Sequence, residues 1–513
     1  MKLNDIGIKD KKEWEQKGYI TPCFDREVIR KHTKSAPVWL HFGAGNIFRA
    51  FIVVLAQRLI DMGSLNGGII AGEGYDYEIL DIAYKPFDDL SICVTLMPDG
   101  NVKKEVVCAV TESVKTDKDG MSRLREIFAS PNLQLVSFTI TEKAYDMNNP
   151  FIGILAELCL CRFINGAFPL ALVSMDNCSN NGILLKNAVL EYAKKNINTD
   201  ADFLSYIDNP EKLSFPCTMI DKITPYPDRG VAKMLTDDGI EDMKILETAM
   251  KSVTAPFVNA EAPQYLVIED VFPNGRPPLE KVGVMFTDRE SVYKVEKMKV
   301  STCLNPLHTA ISVFACMLGF TRVSDAMRDE DLQRLVQMVA KEGLPVVSDP
   351  KIISPSEFID TVLNLRLPNP HIPDTPQRIA TDTSKKLAVR FGETIKAYMQ
   401  SDKLDIRELV AIPLVLAGWC RYIMGIDDDG NEFETDPDPL LPELKPLFDG
   451  ITLGCDDNYA SVLRQILSKS DIFGVDLYKA GIAEKVTSYF GQMISEPGAI
   501  RKALQENLPH GKS

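Results

Sequence analysis

Hydrophobic residues in the first half of the chain form short, nearly continuous runs that are separated by amphipathic segments. The runs predict strands at residues 38–42, 68–71, 90–96, 102–110, 135–140 and 170–174. Apolar residues at helical spacing predict helices at residues 121–128, 152–163 and 182–194. Because strands alternate with helices, we expect an α/β domain with a mainly parallel, doubly wound, Rossmann-like sheet. The turn residues Pro98, Asp99 and Gly100 predict a hairpin between two of these strands.

The pattern changes after about residue 285, where long helical periodicities replace the strand signals. They predict helices at residues 308–318, 329–340, 387–399, 406–424 and 459–468. The chain is therefore predicted to contain two domains. The first, residues 1–288, is Rossmann-like, and the second, residues 289–513, is mainly α-helical.

Composition narrows the class of protein. The 513 residues are 45% apolar and 25% charged, and the net charge of -15 argues against nucleic acid as a partner. The N-terminus lacks the apolar core of a secretory signal, and we expect no membrane-spanning segment. Eleven cysteines without a CxxC pair indicate reduced thiols, and five histidines without paired spacing predict no metal site. We expect a cytoplasmic monomer or small homo-oligomer.

A Gly-Ala-Gly turn follows the first predicted strand and begins like the dinucleotide-binding fingerprint, although the third glycine is absent. Gly43 permits a tight turn, and Gly45 allows the backbone to approach a pyrophosphate. The helix start at Asn46 and Ile47 supplies N–H donors, and Arg49 could add a cation. The alternative is an ordinary turn between a strand and a helix.

Glu73 lies just past the second predicted strand, 28 positions after Gly45. A carboxylate at this point accepts hydrogen bonds from an adenosine ribose and repels a 2′-phosphate, which favours NAD over NADP. A solvated surface glutamate is the alternative. Thr141, Glu142 and Lys143 follow a later strand, and we expect them beside the nicotinamide.

Three residues suited to carbonyl chemistry lie at the start of the helical half. Asn305 precedes Pro306, and this pair predicts a helix N-cap followed by proline at the first helical position, which is a sufficient structural explanation. The functional interpretation makes Lys299 the proton donor or base, Asn305 an amide donor to an alkoxide and His308 a positioning group.

Six segments, in order, resemble the polyol-specific long-chain dehydrogenases/reductases, the mannitol dehydrogenase family. They are HFGAGNIFRA at 41–50, TITEKAY at 139–145, SMDN at 174–177 with the following Asn-Gly at 181–182, DKITP at 221–225, KVSTCLNPLH at 299–308 and the stretch 378–386. The resemblance covers nearly the whole chain. It implies an NAD-dependent oxidoreductase that needs no metal and acts on an open-chain sugar or sugar acid.

The resemblance also implies the catalytic roles. Lys299 matches the family's general acid/base, Asn177 and Asn305 match its alkoxide-binding asparagines, and His308 matches its substrate-orienting histidine. The family commonly places five residue steps between this lysine and asparagine, whereas here there are six. Lys297 therefore remains an alternative to Lys299.

Arg378 and Lys386, eight residues apart, match the family's cationic pair that holds the sugar chain, and Asp221 is a further substrate-binding candidate. Surface or turn positions would explain these residues equally well without the family. Lys385 adds another cation, and such a cluster favours a substrate carboxylate. We therefore expect reduction of D-fructuronate to D-mannonate. Mannitol oxidation and tagaturonate reduction are the enzymatic alternatives, and an NAD(H)-sensing binding protein is the non-enzymatic one.

Overall fold

The computed structural model describes residues 1–197, 201–454 and 458–509. The chain divides into two compact units, Met1–Tyr293 and Lys294–Ser513. This division falls inside the helix Arg289–Met298, a few residues beyond the predicted domain boundary at 288.

Fifteen strands occur among the residues of the first unit that the structure describes. They are β1 Tyr19–Ile20, β2 Trp39–Phe42, β3 Ile69–Glu73, β4 Ser91–Leu96, β5 Val102–Val107, β6 Val110–Lys115, β7 Leu135–Phe138, β8 Leu170–Ser174, β9 Leu213–Ser214, β10 Thr218–Asp221, β11 Leu246–Glu247, β12 Val253–Thr254, β13 Phe257–Ala260, β14 Tyr265–Glu269 and β15 Met285–Thr287.

The largest sheet has six strands in the order β6-β3-β2-β7-β8-β9, and every neighbouring pair is parallel. Strand β2 is central, with Trp39 opposite Ile69 on one side and Leu135 on the other. Because the strands are parallel, their carboxyl ends lie along one edge. The predicted Rossmann-like sheet is thus confirmed.

Both faces of this sheet are covered. Leu40 and Val136 point into one hydrophobic core, whereas their neighbours Trp39 and Leu135 point into the other. This alternation follows from the two-residue period of a strand. Continuous apolar runs are therefore required in β2, β7 and β8, which are buried along their whole length.

The described part of the first unit also forms three smaller sheets, with orders β1-β5-β4-β13, β10-β14-β15 and β11-β12. Strands β4 and β5 form the predicted antiparallel hairpin. The prediction of one strand over 102–110 is wrong, because β5 ends at Val107 and the chain re-enters the six-stranded sheet as β6. At the break, Gln57 accepts the N–H of Cys108 at 2.6 Å, and Arg26 donates to the carbonyl oxygens of Cys108 and Val110.

The helices of the first unit connect these strands. The α-helices are Lys11–Gln16, Arg26–Ser35, Val53–Asp61, Glu78–Ala83, Gly120–Ala129, Pro150–Ile164, Asn181–Asn196, Ala201–Asp208 and Arg229–Asp237, and Arg289–Met298 crosses into the second unit. Short 3₁₀ helices occur at Gly7–Lys9, Lys85–Phe87, Glu142–Tyr145 and Leu279–Val282, and a π-helical turn occurs at Phe48–Ile52.

The described part of the second unit contains helices and connecting loops, and its only strand-like pairing is a single bridge between Ile426 and Glu432. Its α-helices are Asn305–Met317, Val323–Ala326, Glu330–Gly343, Pro355–Thr361, Pro376–Ala380, Thr383–Leu387, Glu393–Met399, Ala411–Ile423, Leu441–Leu444, Tyr459–Leu467, Ser470–Phe473, Leu477–Ala480, Ala483–Met493 and Ala499–Asn507. The 3₁₀ helices are Leu344–Val346, Ile406–Glu408 and Lys445–Phe448, and π-helical turns occur at Lys299–Cys303, Val362–Arg366 and Ala388–Gly392.

The predicted helix over 406–424 starts too early, because its α-helical part is Ala411–Ile423. The carboxylate of Glu342 accepts the N–H groups of Val410, Ala411 and Ile412 at 2.6–2.8 Å and so caps this helix from a distant part of the sequence.

One continuous helical stretch, Arg289–Met317, is long and apolar enough to cross a membrane, with a mean hydropathy of 1.2. Within this stretch, 83% of the most apolar 18-residue segment is buried inside the protein. Such burial is typical of a core helix.

Candidate active site

The carboxyl edge of the six-stranded sheet gathers most of the predicted residues of the first unit. Gly43 follows β2, Glu73 ends β3, Thr141 lies beyond β7, and Asn177 lies beyond β8. This edge is where doubly wound sheets bind their ligands, at the crevice outside the strand ends. The parallel topology therefore brings together residues that are distant in the sequence.

The turn after β2 requires glycine at its first position. Gly43 has a φ of +108°, and a Cβ atom there would lie 2.5 Å from the carbonyl oxygen of Thr139. Its N–H donates to the carbonyl of Gly72 at 3.0 Å, and the hydroxyl of Thr139 donates to the carbonyl of Gly43 at 3.2 Å. The turn is thus held between its two neighbouring strands.

At Gly45 the space above the backbone is open, because a Cβ atom there would meet nothing within 4 Å. The backbone N–H groups of Gly45, Asn46 and Ile47 donate to no acceptor within the described residues. An open approach above several free N–H donors at a helix start suits a phosphate group. The turn therefore fits the pyrophosphate of a dinucleotide.

The structure gives Glu73 a task other than the predicted contact with a ribose. Its side chain is only 6% exposed, and its carboxylate accepts N–H groups of Ala44 at 2.9 Å, Tyr75 at 2.9 Å and Asp76 at 3.3 Å. Burial raises the pKa of Glu73, while these donors act in the opposite direction. Both oxygens thus brace the protein's own turn, which corrects the prediction.

Replacing Glu73 with glutamine is expected to destabilise the first unit by about 1–3 kcal/mol, because an amide NH₂ would face a buried N–H donor. Urea unfolding followed by tryptophan fluorescence measures the change. Glu126→Gln is the matched control, since the Glu126 side chain is 66% exposed. An unfolding midpoint for Glu73→Gln equal to that of the control contradicts the bracing role.

Two further members of the turn are also engaged within the protein. Arg49 is 1% exposed, and its guanidinium donates to the carbonyl of Ala255, the hydroxyl of Thr254 and the side-chain oxygen of Asn46. The amide NH₂ of Asn46 donates to the carbonyl of Pro225 at 3.1 Å. The prediction that Arg49 adds a cation to the phosphate site is therefore corrected, because its guanidinium supports the helix start from inside.

Thr141, Glu142 and Lys143 lie on an exposed segment at the carboxyl edge, as the prediction of a nicotinamide contact requires. Asn177 is also exposed, immediately beyond β8. Its neighbour Asp176 accepts hydrogen bonds from the hydroxyl of Tyr145 and from the N–H of Cys178, the latter at 2.9 Å.

The loop of Asn177 is further fixed by Asn181, which sequence reasoning left without a role. The amide of Asn181 accepts the N–H of Thr218 at 3.0 Å, and its NH₂ group donates to the Thr218 hydroxyl at 3.1 Å and to the carbonyl of Ser174 at 3.3 Å. It therefore ties the end of β8 to β10. Asp221 ends β10, which belongs to the three-stranded sheet and not to the six-stranded one, and its side chain is buried.

In the second unit, Lys299 opens a π-helical turn and is 8% exposed. The turn closes with the N–H of Leu304 donating to the carbonyl of Lys299 at 3.1 Å, a bond that spans five residues. A π-helical turn holds one residue more than an α-helical turn, so it accommodates the extra residue between Lys299 and Asn305. Lys297, by contrast, is 55% exposed and pairs with Glu393 at 3.3 Å. This placement favours Lys299 over the alternative.

The helix that follows begins one residue earlier than predicted. Leu304 is its N-cap, Asn305 its first residue and Pro306 its second, and no side chain makes a capping hydrogen bond. The N-cap prediction for Asn305 is therefore wrong. Its side-chain amide makes no hydrogen bond within the described part of the chain, which leaves it available to a ligand.

His308 lies one turn further along, where it lines a small cavity with Arg366, Asn369 and Asp374. Desolvation lowers the pKa of His308 to about 4. Asp374 acts in the opposite direction, whereas Arg366 and the other nearby guanidinium groups lower the pKa further. His308 is therefore neutral near pH 7 and can donate or accept a hydrogen bond without carrying a charge.

The pKa of His308 predicts its titration and its effect on stability. Since the unfolded value is 6.5 and the folded value about 4, its contribution to stability is present above pH 6.5 and is lost as pH falls towards about 4. NMR of ¹³C-labelled histidine should show a ring that stays neutral at about pH 5, assigned by its loss in His308→Asn. An NMR titration midpoint for His308 near or above the ordinary histidine pKa of 6.5 contradicts the conclusion that its ring is neutral in the folded protein.

The predicted substrate cations lie on short helices near His308. Arg378 is 66% exposed and forms an ion pair with Asp374. Lys386 donates to the carbonyls of Ile379 and Thr381, and burial followed by the nearby charge of Arg390 lowers the pKa of Lys386. The structure thus places Arg378 and Lys386 close enough for their charges to interact, whereas Lys385, the third predicted cation, is exposed.

Arg390, which sequence reasoning missed, belongs to the same group of cations. It donates to the hydroxyl of Thr309, the residue after His308, and burial lowers the pKa of Arg390 to about 10. It has no acidic partner within the described residues. Its spacing of four residues from Lys386, one helical turn, was the available signal. Arg366 was missed as well, and no sequence spacing connects it to His308.

The fold and the site define a Rossmann-type oxidoreductase. Residues 38–281 match the family model of the mannitol dehydrogenase Rossmann domain, and residues 291–494 match that of the mannitol dehydrogenase C-terminal domain. The chain belongs to the mannitol dehydrogenase family. The resemblance seen in the six sequence segments is therefore confirmed.

Individual relatives agree with this assignment. The chain is 46% identical to a D-mannonate oxidoreductase of Thermotoga maritima, with 99% of each chain covered. It is 26% identical to a D-mannonate oxidoreductase of Escherichia coli, over 91% of this chain and 95% of the relative. Among solved structures, a ternary complex of Pseudomonas fluorescens mannitol 2-dehydrogenase with NAD and D-mannitol superposes with a TM-score of 0.67 at 24% identity, with 99% of both chains covered.

Proposed function

We propose that the protein interconverts D-fructuronate and D-mannonate with NAD(H) as the redox partner. The observation that carries the proposal is the 46% identity to a D-mannonate oxidoreductase over nearly the full length of both chains. A substrate that is a sugar or sugar acid agrees with the named activities of the other relatives.

The glycine turn supports NAD(H) as the cofactor. Gly43 sets the turn, Gly45 leaves the approach open, and the N–H groups of Asn46 and Ile47 are free to bind a pyrophosphate. Bound NADH supplies the hydride that reduces the ketone carbon. In this proposal, Thr141, Glu142 and Lys143 contact the nicotinamide from the same sheet edge.

The second unit supports the proton chemistry. Lys299 gives its proton to the oxygen of the ketone as hydride arrives at carbon, and in oxidation the neutral amine takes the proton back. The amides of Asn305 and Asn177 donate hydrogen bonds to that oxygen, and His308 orients the neighbouring hydroxyl groups. With these donors in place, the polarising role of a metal ion is not required.

The charges around His308 favour a carboxylate on the substrate. Three arginines lie close enough to His308 to lower its pKa, namely Arg366, Arg378 and Arg390. Among the charges with the strongest effect, only that of Asp374 raises this pKa. Arg378 is paired with Asp374, whereas Arg390 has no acidic partner among the described residues. A half-buried cation without a counter-ion, such as Arg390, attracts an anionic ligand.

A side-by-side assay with NADH tests this choice. The values of kcat/KM for D-fructuronate, D-tagaturonate and D-fructose are compared by following the absorbance of NADH. We expect kcat/KM to be at least about 100-fold higher for D-fructuronate than for D-fructose, because only the carboxylate of D-fructuronate can form a charge-assisted hydrogen bond with the cations. Preference for D-fructose would indicate a mannitol 2-dehydrogenase instead. Binding of NADH without turnover of any keto sugar would indicate a sensing protein.

A further inference from the structure

Tyr75 combines an exposed aromatic ring with a fixed backbone. The residue is 75% exposed, yet its N–H donates to the carboxylate of Glu73 at 2.9 Å. The preceding residue, Gly74, packs under the ring of Phe151 so closely that a Cβ atom would lie 2.5 Å from that ring. The carbonyl of Glu73 accepts the N–H of Thr116 at 3.0 Å. The ring is therefore presented to solvent from a segment that cannot easily move.

The position of Tyr75 in the sheet suggests what it contacts. Strand β3 pairs with β2, so its carboxyl end lies beside the Gly43 turn. In doubly wound sheets that bind dinucleotides, the adenosine half extends from the glycine turn towards the end of this neighbouring strand. Tyr75 comes two residues after the last residue of β3.

Glu73 adds a second reason. Its carboxylate, which was expected to hold the adenosine ribose, is buried against the N–H groups of Ala44, Tyr75 and Asp76. The adenosine therefore needs another anchor at this edge. An aromatic ring with no hydrogen-bond partner among the described residues and a fixed backbone loses little entropy when a base stacks on it.

We propose that Tyr75 stacks on the adenine ring of NAD(H) and supplies much of the affinity for the adenosine half. The inference rests on the proposed function, because it requires that the protein binds NAD(H). The stacking contact is made by the face of the Tyr75 ring and does not depend on the Tyr75 hydroxyl group.

The test compares NADH with reduced nicotinamide mononucleotide, which lacks the adenosine half. Dissociation constants of the full-length wild-type protein, Tyr75→Ala and Tyr75→Phe are measured by titration calorimetry. We expect Tyr75→Ala to weaken NADH binding by about 5- to 50-fold and to leave binding of the mononucleotide unchanged. Tyr75→Phe should bind both ligands as the wild type does. Ile164→Ala is the control, since Ile164 is 71% exposed and ends a helix at the amino edge of the sheet.

An unchanged dissociation constant for NADH in Tyr75→Ala would overturn the inference, and so would an equal loss for both ligands. If the wild-type protein bound neither ligand, the proposed function itself would fail. These outcomes are distinguishable because the wild-type measurement is made first.

Discussion

Replacing Lys299 with alanine is expected to lower kcat/KM for D-fructuronate reduction by about 10²–10⁴-fold, the usual contribution of a positioned general acid. Lys299 is 8% exposed and opens the π-helical turn that precedes Asn305 and His308. The Gly43 turn belongs to a different part of the chain, so the dissociation constant of NADH should change by less than about twofold. Steady-state kinetics and NADH titration of the same preparation measure both quantities.

Lys297→Ala is the matched control for this prediction. Lys297 lies two residues earlier, is 55% exposed and pairs with Glu393, so its removal should cost little activity. Added methylamine should restore part of the activity of Lys299→Ala if a missing amine is the defect. Wild-type turnover in Lys299→Ala, or a loss confined to Lys297→Ala, contradicts the assignment.

Replacing Gly43 with alanine is expected to have the second-largest effect, on both stability and cofactor binding. The φ of +108° is strained for any residue with a Cβ atom, and that atom would meet the carbonyl of Thr139 at 2.5 Å. We expect a loss of about 2–3 kcal/mol in stability and a rise of about tenfold or more in the NADH dissociation constant, since the displaced turn loses N–H donors. Urea unfolding and NADH titration measure the two effects.

Gly45→Ala separates binding from stability. Nothing lies within 4 Å of a Cβ atom at Gly45, so the unfolding midpoint should remain that of the wild type. The added methyl group nevertheless occupies the approach to the turn, and NADH should bind more weakly. Equal losses of stability in Gly43→Ala and Gly45→Ala contradict the proposed difference between the two glycines.

Sequence pattern predicted the parallel sheet because its central strands must be apolar on both faces. The same argument failed at residues 102–110, where the apolar run continues through a change of sheet. The break there depends on Gln57 and Arg26, which satisfy the backbone of Cys108 and Val110 from distant helices. The hydrophobic pattern of a short segment does not show which distant residues will bond to its backbone.

The predicted start positions of two helices were wrong for a related reason. Residues 406–424 have continuous helical periodicity, yet the helix begins at Ala411 because Glu342 caps it from a position about 70 residues earlier. At Asn305, a favourable N-cap residue followed by proline misplaced the start by one position. The intervening π-helical turn cannot be read from residue spacing alone.

The candidate site shows the same division. The tight turn at Gly43 could be predicted, since only backbone geometry was needed, whereas the contact of Gly45 with a pyrophosphate stays a prediction. Glu73 and Arg49 were located at the turn, but their side chains face inward and brace it. Sequence gives the position of a charged side chain along an element, whereas its direction depends on the buried groups that it must satisfy. Arg390 was missed because its role rests on what surrounds it.

Transfer of label from NADH to product tests the central claim, hydride transfer to a keto-uronate, most directly. The enzyme is mixed with NADH deuterated at the transferring position of C4 and with D-fructuronate, and D-mannonate is analysed by mass spectrometry. We predict one deuterium per molecule of product, bound to the former ketone carbon, with no exchange into water. D-mannonate formed without deuterium, or no D-mannonate at all, would contradict the account.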